Sequence, residues 1–137
     1  MTTSKIDPHL GRHYNKKKYG PGNWDALHTI ALHCDENNTP ETFLEVFKII
    51  VFNFKCMSCR PHAIKYYKQH PPEVILYKYT FDAPKSKFDN NSLRNKYPCS
   101  YYINLFHNTV NHRLGKQLYD LSESIKLTKG VCNQCVI

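Results

Sequence analysis

Apolar residues recur every three to four positions in four separate stretches of the chain, which is the spacing that lets a helix bury one face. In the first stretch Trp24, Leu27 and Ala31 share such a face, together with His28. The acidic and amide residues at 35–38 should end this helix.

The next two stretches have clear start and stop signals. Thr39, Pro40 and Glu41 give a cap, a proline and an acid, which favours a helix start, and the apolar stripe that follows runs directly into a Cys-x-x-Cys motif. That stripe consists of Phe43, Val46, Phe47, Ile50 and Phe54. A third helix is predicted over residues 58–69, and prolines at 71 and 72 end it.

The fourth apolar stripe consists of Ile103, Phe106, Val110, Leu114 and Leu118. It predicts a long helix over residues 101–119, capped by Ser100, and a short last helix should follow over residues 120–127. Four helices joined by short links favour an all-α, four-helix up-and-down bundle with a short fifth helix.

The segments outside this pattern set the expected domain limits. Residues 1–18 are polar and basic and indicate a flexible arm, and residues 19–23 indicate a turn. The domain should cover residues 19–127, with a surface excursion at 71–98 in which residues 74–81 form a short strand or an extended segment. Residues 128–137 should be a mobile tail.

The totals change this picture little. The chain has 137 residues and a net charge of +8, with a pI near 9.2. Its only dense basic cluster is at residues 16–18, so a solvated basic face is favoured over a nucleic-acid site. The longest aliphatic or aromatic run, residues 49–52, is too short for a membrane span, and residues 1–18 lack the apolar core of a secretory leader. We therefore expect no membrane partner and no leader.

The Cys56-x-x-Cys59 motif at a predicted helix start favours dithiol–disulfide exchange. Ser58 is a suitable N-cap and Pro61 suits the first turn. Cys59 would then lie where the helix dipole and Arg60 favour a thiolate, which makes it the expected better thiolate of the pair.

A second pair, Cys132 and Cys135, leaves a zinc site open as the alternative. Zinc ribbons usually separate their two pairs by about 20 residues or fewer, and here the separation is far larger. The rival function is therefore a zinc-binding basic module for nucleic-acid or protein interaction, without redox turnover.

The predicted fourth helix carries an unusual density of side chains that are poor helix formers. These are Asn104, His107, Asn108, Asn111 and His112. Because two of them fall on a partly apolar face, either neighbouring helices satisfy their polar groups or a polar ligand does. The sequence leaves both open.

Three ordered segments resemble the signatures of the Erv/ALR sulfhydryl oxidases. They are residues 20–31 (GPGNWDALHTIA), 56–62 (CMSCRPH) and 107–116 (HNTVNHRLGK). Gly-Pro at 20–21 is most similar to the branch carried by large cytoplasmic DNA viruses. Lys55 departs from the family pattern, which usually has proline before the first active cysteine.

The resemblance implies a bundle that holds FAD, usually as a homodimer. It implies catalytic roles for Cys56 and Cys59 and no bound metal. The implied cofactor contacts are Gly20, Trp24, His28, Cys59, His62, His107, Asn108, Val110, Asn111, Leu114 and Lys116.

It also implies an activity: protein dithiol clients, reached through a thioredoxin-like carrier in some systems, are oxidised at Cys56, expected to be the more accessible sulfur. The electrons pass through Cys59 and FAD to molecular oxygen, giving hydrogen peroxide. A viral protein of this kind would act in virion assembly, in the host cytoplasm or in the virion.

Cys132 and Cys135 have three interpretations, which are a shuttle pair that serves Cys56, a structural disulfide to Cys34 or Cys99, and zinc ligands. The shuttle is favoured, and Cys34 and Cys99 are expected to be buried or unpaired.

Overall fold

The computed structural model describes residues 16–74, 76 and 91–134, with side chains described for residues 23–74, 76 and 93–130. Within these ranges the regular elements are all helical, which confirms the predicted all-α class. They are α1 (Lys16–Glu36), α2 (Pro40–Phe52), α3 (Arg60–Gln69), α4 (Asn91–Lys96), α5 (Pro98–Arg113) and α6 (Leu121–Gln134).

Local sequence signals set most helix starts. Pro40, Pro61 and Pro98 each occupy the first turn of their helix, where a missing N–H costs nothing. Helix α6 begins with a capping box, because the backbone N–H of Glu123 donates to Asp120 Oδ1 (2.8 Å) and that of Asp120 donates to Glu123 Oε1 (3.0 Å).

The first helix begins earlier than predicted. Helix α1 starts at Lys16 and continues through residues 19–23, which were predicted as a turn. Pro21 is the sixth residue of α1, past the first turn, so it costs the helix one backbone hydrogen bond to the carbonyl of residue 17 without ending it. The remainder of the predicted arm, residues 1–15, lies outside the described residues.

The predicted fourth helix starts and ends earlier than expected. In its counterpart α5, Tyr97 is the N-cap and the helix begins at Pro98, so Ser100 lies inside the helix and does not cap it.

Helix α5 ends at Arg113, and Gly115 follows with φ +69°, the left-handed conformation that favours glycine. The Lys116 N–H donates to the Asn111 carbonyl (2.8 Å) and the Gly115 N–H donates to the His112 carbonyl (3.2 Å). This pair of bonds is a Schellman motif, and it stops the helix at a defined residue.

The last helix is longer than predicted. Helix α6 continues to Gln134, so most of the expected mobile tail is helical backbone. Gly130 lowers the stability of this helix only slightly, so it does not end the helix. In the predicted excursion, residues 74 and 76, which were expected to be strand or extended, are helical, and residues 91–96 form α4, while residues 75 and 77–90 lie outside the described residues.

One main core joins α1, α2, α3 and α5. Its largest fully buried side chains are aromatic, with Phe47 packing edge-on against both Tyr102 (5.2 Å) and Phe106 (5.8 Å). A smaller cluster joins Leu32 to Leu121 and Ile125, which fixes α6 against α1. No described helix is long and apolar enough to cross a membrane.

Candidate active site

A cavity of about 660 Å³ opens between α1, α3 and α5. It brings together nine residues that the sequence singled out, from three separate segments of the chain. These are Trp24, Cys56, Cys59, His62, His107, Val110, Asn111, Leu114 and Lys116. The cavity is therefore the candidate active site.

Cys56 and Cys59 form a disulfide on the cavity wall, in the connection between α2 and α3. Helix α3 begins at Arg60, so Cys59 rather than Ser58 is the N-cap residue, and its side chain makes no capping hydrogen bond. The predicted N-cap at Ser58 is thus wrong by one residue.

The connection is held by an arginine. Arg60 Nε donates to the carbonyl of Phe54 (2.7 Å), and Arg60 Nη2 contacts the same oxygen. The backbone N–H of Arg60 donates to the Cys56 carbonyl (2.9 Å). Because these hydrogen bonds connect the two ends of residues 54–60, they stabilise the loop in addition to its disulfide.

The exposure of the two sulfurs is the reverse of the prediction. Cys56 was expected to be the more accessible residue, but it is only 5% exposed, whereas Cys59 is partly exposed. Cys56 is covered because the short loop turns it inward. The Cys59 N–H (3.2 Å) and the Ser58 hydroxyl (3.3 Å) lie against its sulfur.

Two aromatic rings that line the same cavity lie face to face. The ring centroids of Trp24 and His107 are 3.9 Å apart and the rings are inclined by 6°. His28 Nε2 lies 3.0 Å from His107 Nδ1, so one imidazole donates a hydrogen bond to the other. His28 thus supports His107 from outside the set of lining residues.

Burial keeps this histidine pair neutral. Desolvation lowers the pKa of His107 to about 4, with His28 and Lys116 adding to the effect. Desolvation also lowers the pKa of His28, and the nearby Asp25 opposes that shift. At neutral pH the cavity therefore presents an uncharged aromatic surface here.

The polar residues of α5 have two different roles. Asn104 is 5% exposed and donates to Ser124 Oγ (2.7 Å) and to the carbonyl of Tyr119 (3.0 Å). Asn108 also donates to that carbonyl (2.6 Å) and accepts from the Tyr119 N–H (3.0 Å). His107 and Asn111 line the cavity instead. Neighbouring elements thus satisfy the hydrogen bonds of Asn104 and Asn108, whereas the side chains of His107 and Asn111 are available to a ligand in the cavity.

The segment after α5 forms the basic end of the cavity. Arg113 and Lys116 both line it, and the Schellman motif at Gly115 determines where Lys116 lies. Asn108 holds the same segment through Tyr119, which is also a lining residue. Gly20 lies in the first turns of α1, and its surroundings are not among those described.

The remaining cysteines are divided between core and tail. Cys34 and Cys99 are free and buried, as predicted, and burial raises the pKa of the Cys99 thiol far above its ordinary value. Cys135 and the side chain of Cys132 lie outside the described residues. Among the described residues no group of three metal-binding side chains comes together, so the zinc hypothesis, which needs the tail pair, is untested.

Sequence reasoning missed several residues of the site. Phe54, Phe106 and Tyr119 line the cavity but belong to none of the motifs, and Arg113 lies inside the third motif but was not among its predicted contacts. Phe54 and Phe106 fell within apolar stripes and were interpreted as core only. Tyr119 gave no signal, because its role depends on a contact with Asn108 across a helix end.

A helical bundle with a disulfide on the wall of an aromatic, histidine-lined cavity defines a dithiol redox protein with room for an organic cofactor. The chain belongs to the Erv1/Alr family, whose model matches residues 21–129. This confirms the resemblance that the three sequence motifs indicated.

The relatives are viral proteins. The chain is 31% identical over 130 residues to a protein of Invertebrate iridescent virus 6, named provisionally as an FAD-linked sulfhydryl oxidase; 90% of this chain and 95% of that protein are covered. It is 30% identical over 108 residues to the FAD-linked sulfhydryl oxidase of an African swine fever virus isolate from Kenya, covering 77% of this chain and 75% of the relative. No solved structure matches the chain significantly.

Proposed function

We propose that this chain is an FAD-linked thiol oxidase that forms disulfides in protein dithiols and passes the electrons to oxygen, giving hydrogen peroxide. The observation that carries the proposal is the Cys56–Cys59 disulfide on the wall of the cavity that Trp24 and His107 line. Membership of the Erv1/Alr family and the names of the viral relatives support it.

The cavity residues fit a flavin dinucleotide. The cavity volume of about 660 Å³ falls within the range of about 300–1,000 Å³ that is usual for ligand pockets. The flat, neutral Trp24–His107 pair suits contact with an aromatic ring system, and Val110 and Leu114 add apolar surface. Arg113 and Lys116 supply positive charge for a diphosphate.

The bound flavin would supply the ability to accept two electrons from thiols and give them to oxygen. The protein would supply the dithiol. A client thiolate attacks Cys56 and forms a mixed disulfide, and Cys59 leaves as a thiolate at the N-terminus of α3, where free N–H groups favour negative charge. Because Cys56 is 5% exposed, a local opening at residues 54–60 would admit the client.

The proposal extends to partners. The clients would be protein dithiols, reached directly or through a thioredoxin-like carrier, and the active form would be a homodimer. Cys132 and Cys135 would act as a shuttle pair that passes electrons to Cys56. Because the relatives are viral proteins, we extend the proposal to a viral setting, with action in virion assembly, in the host cytoplasm or in the virion.

The test is a visible absorption spectrum of the purified protein, followed by oxygen uptake with dithiothreitol. We expect flavin bands near roughly 450 nm, FAD released by heat at about one per chain, and peroxide in step with the oxygen consumed. A colourless protein with about one zinc per chain would overturn the oxidase and leave the zinc module.

A further inference from the structure

Ser58 is placed against the sulfur of Cys56. Its Oγ lies 3.3 Å from Cys56 Sγ, and the backbone N–H of Cys59 donates to the same sulfur from 3.2 Å. Cys56 is 5% exposed, so these two groups supply hydrogen bonds where solvent scarcely reaches.

Helix capping does not explain this serine. The N-cap of α3 is Cys59, and the Ser58 hydroxyl is directed to a sulfur instead of a helix N–H. Within residues 54–60 it is the only hydroxyl-bearing side chain, and its neighbour Met57 is apolar and 58% exposed. The feature that remains is the contact with Cys56.

The geometry points to a role for Ser58 in the exchange reaction. We propose that the Ser58 hydroxyl donates a hydrogen bond to the Cys56 thiolate and so makes Cys56 a better leaving group when the oxidised client departs. This role rests on the proposed thiol oxidase function, within which Ser58 is a further residue of the site.

The step balances as follows. In the mixed disulfide, the second client thiolate attacks the client sulfur that is bonded to Cys56. The new client S–S bond forms, the bond to Cys56 Sγ breaks, and its electron pair stays on Cys56. The client loses two electrons, and the Cys56–Cys59 pair holds them as a reduced dithiol.

Two hydrogen bonds at the leaving sulfur lower its pKa, and a thiol of lower pKa leaves faster. The Cys59 N–H stays in any variant because it belongs to the backbone. Ser58 is therefore the donor that a substitution can remove. Because Ser58 itself is solvent-exposed, we expect a moderate effect, about three- to tenfold in thiolate fraction.

The experiment compares wild type with Ser58→Ala, Ser58→Thr and Ser122→Ala, a matched substitution at an exposed serine of α6. Each purified protein is equilibrated in glutathione buffers between pH 5 and pH 9, quenched in acid and alkylated after unfolding. Mass spectrometry then gives the reduced fraction of Cys56 and Cys59 at each pH. The plot of reduction potential against pH bends at the thiol pKa values.

In Ser58→Ala the bend assigned to Cys56 should move up by about half to one pH unit. Ser58→Thr should restore the wild-type curve, and Ser122→Ala should leave it unchanged. If Ser58→Ala and Ser122→Ala give the same curve, Ser58 has no role at the sulfur. A loss of folding in Ser58→Ala, visible by circular dichroism, would leave Ser58→Thr to decide by its own curve, because its hydroxyl must reproduce the wild-type bend.

This measurement needs no turnover, so it separates the two proposals. Absence of oxygen uptake by the wild-type protein would overturn the oxidase function, whereas the titration of Cys56 would still report on Ser58. With an active oxidase, Ser58→Ala should lower kcat for a protein dithiol by about three- to tenfold and change KM little, since the leaving step follows binding.

Discussion

The imidazole of His107 is stacked on the indole of Trp24, 3.9 Å between centroids, while its Nδ1 lies 3.0 Å from His28 Nε2. The His107 side chain thus links the aromatic wall of the cavity to a polar partner behind the lining. Protonation of both histidines would remove the acceptor from their hydrogen bond and place two like charges side by side.

This arrangement predicts that acid destabilises the cofactor-free protein. The pKa of His107 is lowered to about 4 in the fold against an ordinary 6.5, so the unfolded chain binds more protons between those values. The free energy of unfolding should therefore rise with pH between about 4 and 6.5 and flatten above. After allowance for the partial exposure of His107, its share is about 1–2 kcal/mol.

Urea unfolding of the flavin-free protein at several pH values checks this expectation. Matched measurements on His107→Gln should show a smaller slope in the same window, because glutamine does not titrate there. A slope that is identical in the variant and in wild type would contradict the assignment to His107.

The sequence predicted the start of α2 correctly but extended α5 too far, and the reason is physical. A start such as that of α2 is written in adjacent residues, Thr39 and Pro40, and the helix begins there. Past Arg113, Leu114 and Leu118 kept the apolar spacing and extended the predicted helix, yet they are 54% and 50% exposed. Gly115 was the correct signal for the helix end, but the prediction followed the apolar periodicity instead.

Nine motif residues line the cavity, whereas His28 and Asn108, also predicted as cofactor contacts, lie outside its lining and bond to His107 and to Tyr119. Contacts through space between separate elements did not appear in the sequence. The bonds between Arg60 and Phe54 and between Asn108 and Tyr119 depend on how separate elements meet. No periodic pattern encodes them. The same holds for the low exposure of Cys56, which the short loop creates.

Gly115→Ala should destabilise the protein by about 1–2 kcal/mol, because φ +69° is strained for any residue with a Cβ. An added Cβ would meet nothing within 4 Å, so the cost is confined to the backbone. The control is Gly130→Ala in α6, which also has open space but no positive φ. That change should stabilise by about 0.5–1 kcal/mol. Thermal unfolding of both variants measures the contrast, and equal shifts would rule out the Schellman motif as the cause.

Asp35 should be a strong stabiliser of the bundle. Its two carboxylate oxygens accept the backbone N–H groups of Cys99 and Ser100, each at 2.8 Å, at the N-terminus of α5. Burial raises the pKa of this carboxyl, and these hydrogen bonds partly oppose the shift. Asp35→Ala leaves two donors of buried residues without their acceptor and should cost about 2–3 kcal/mol.

Asp35→Asn retains one acceptor oxygen and removes the desolvated charge, so it should cost about half as much as the alanine change. Glu36→Ala, the neighbouring exposed acid, serves as the control and should fall within about 0.5 kcal/mol of wild type. Urea unfolding at pH 7 ranks the three variants. A cost for Glu36→Ala as large as that for Asp35→Ala would indicate a general charge effect instead of capping.

Cys59→Ser should separate cofactor binding from redox chemistry. The cavity surface around Trp24, His107 and Lys116 is unchanged by the substitution, so bound flavin should stay near the wild-type ratio per chain. Oxygen uptake with dithiothreitol should fall by at least about a hundredfold, because serine cannot form the disulfide with Cys56. Cys34→Ala changes a free, buried cysteine outside the cavity lining and should retain uptake per bound flavin. If Cys59→Ser kept the turnover while Cys34→Ala lost it, the dithiol would have to be reassigned to a pair that includes Cys34.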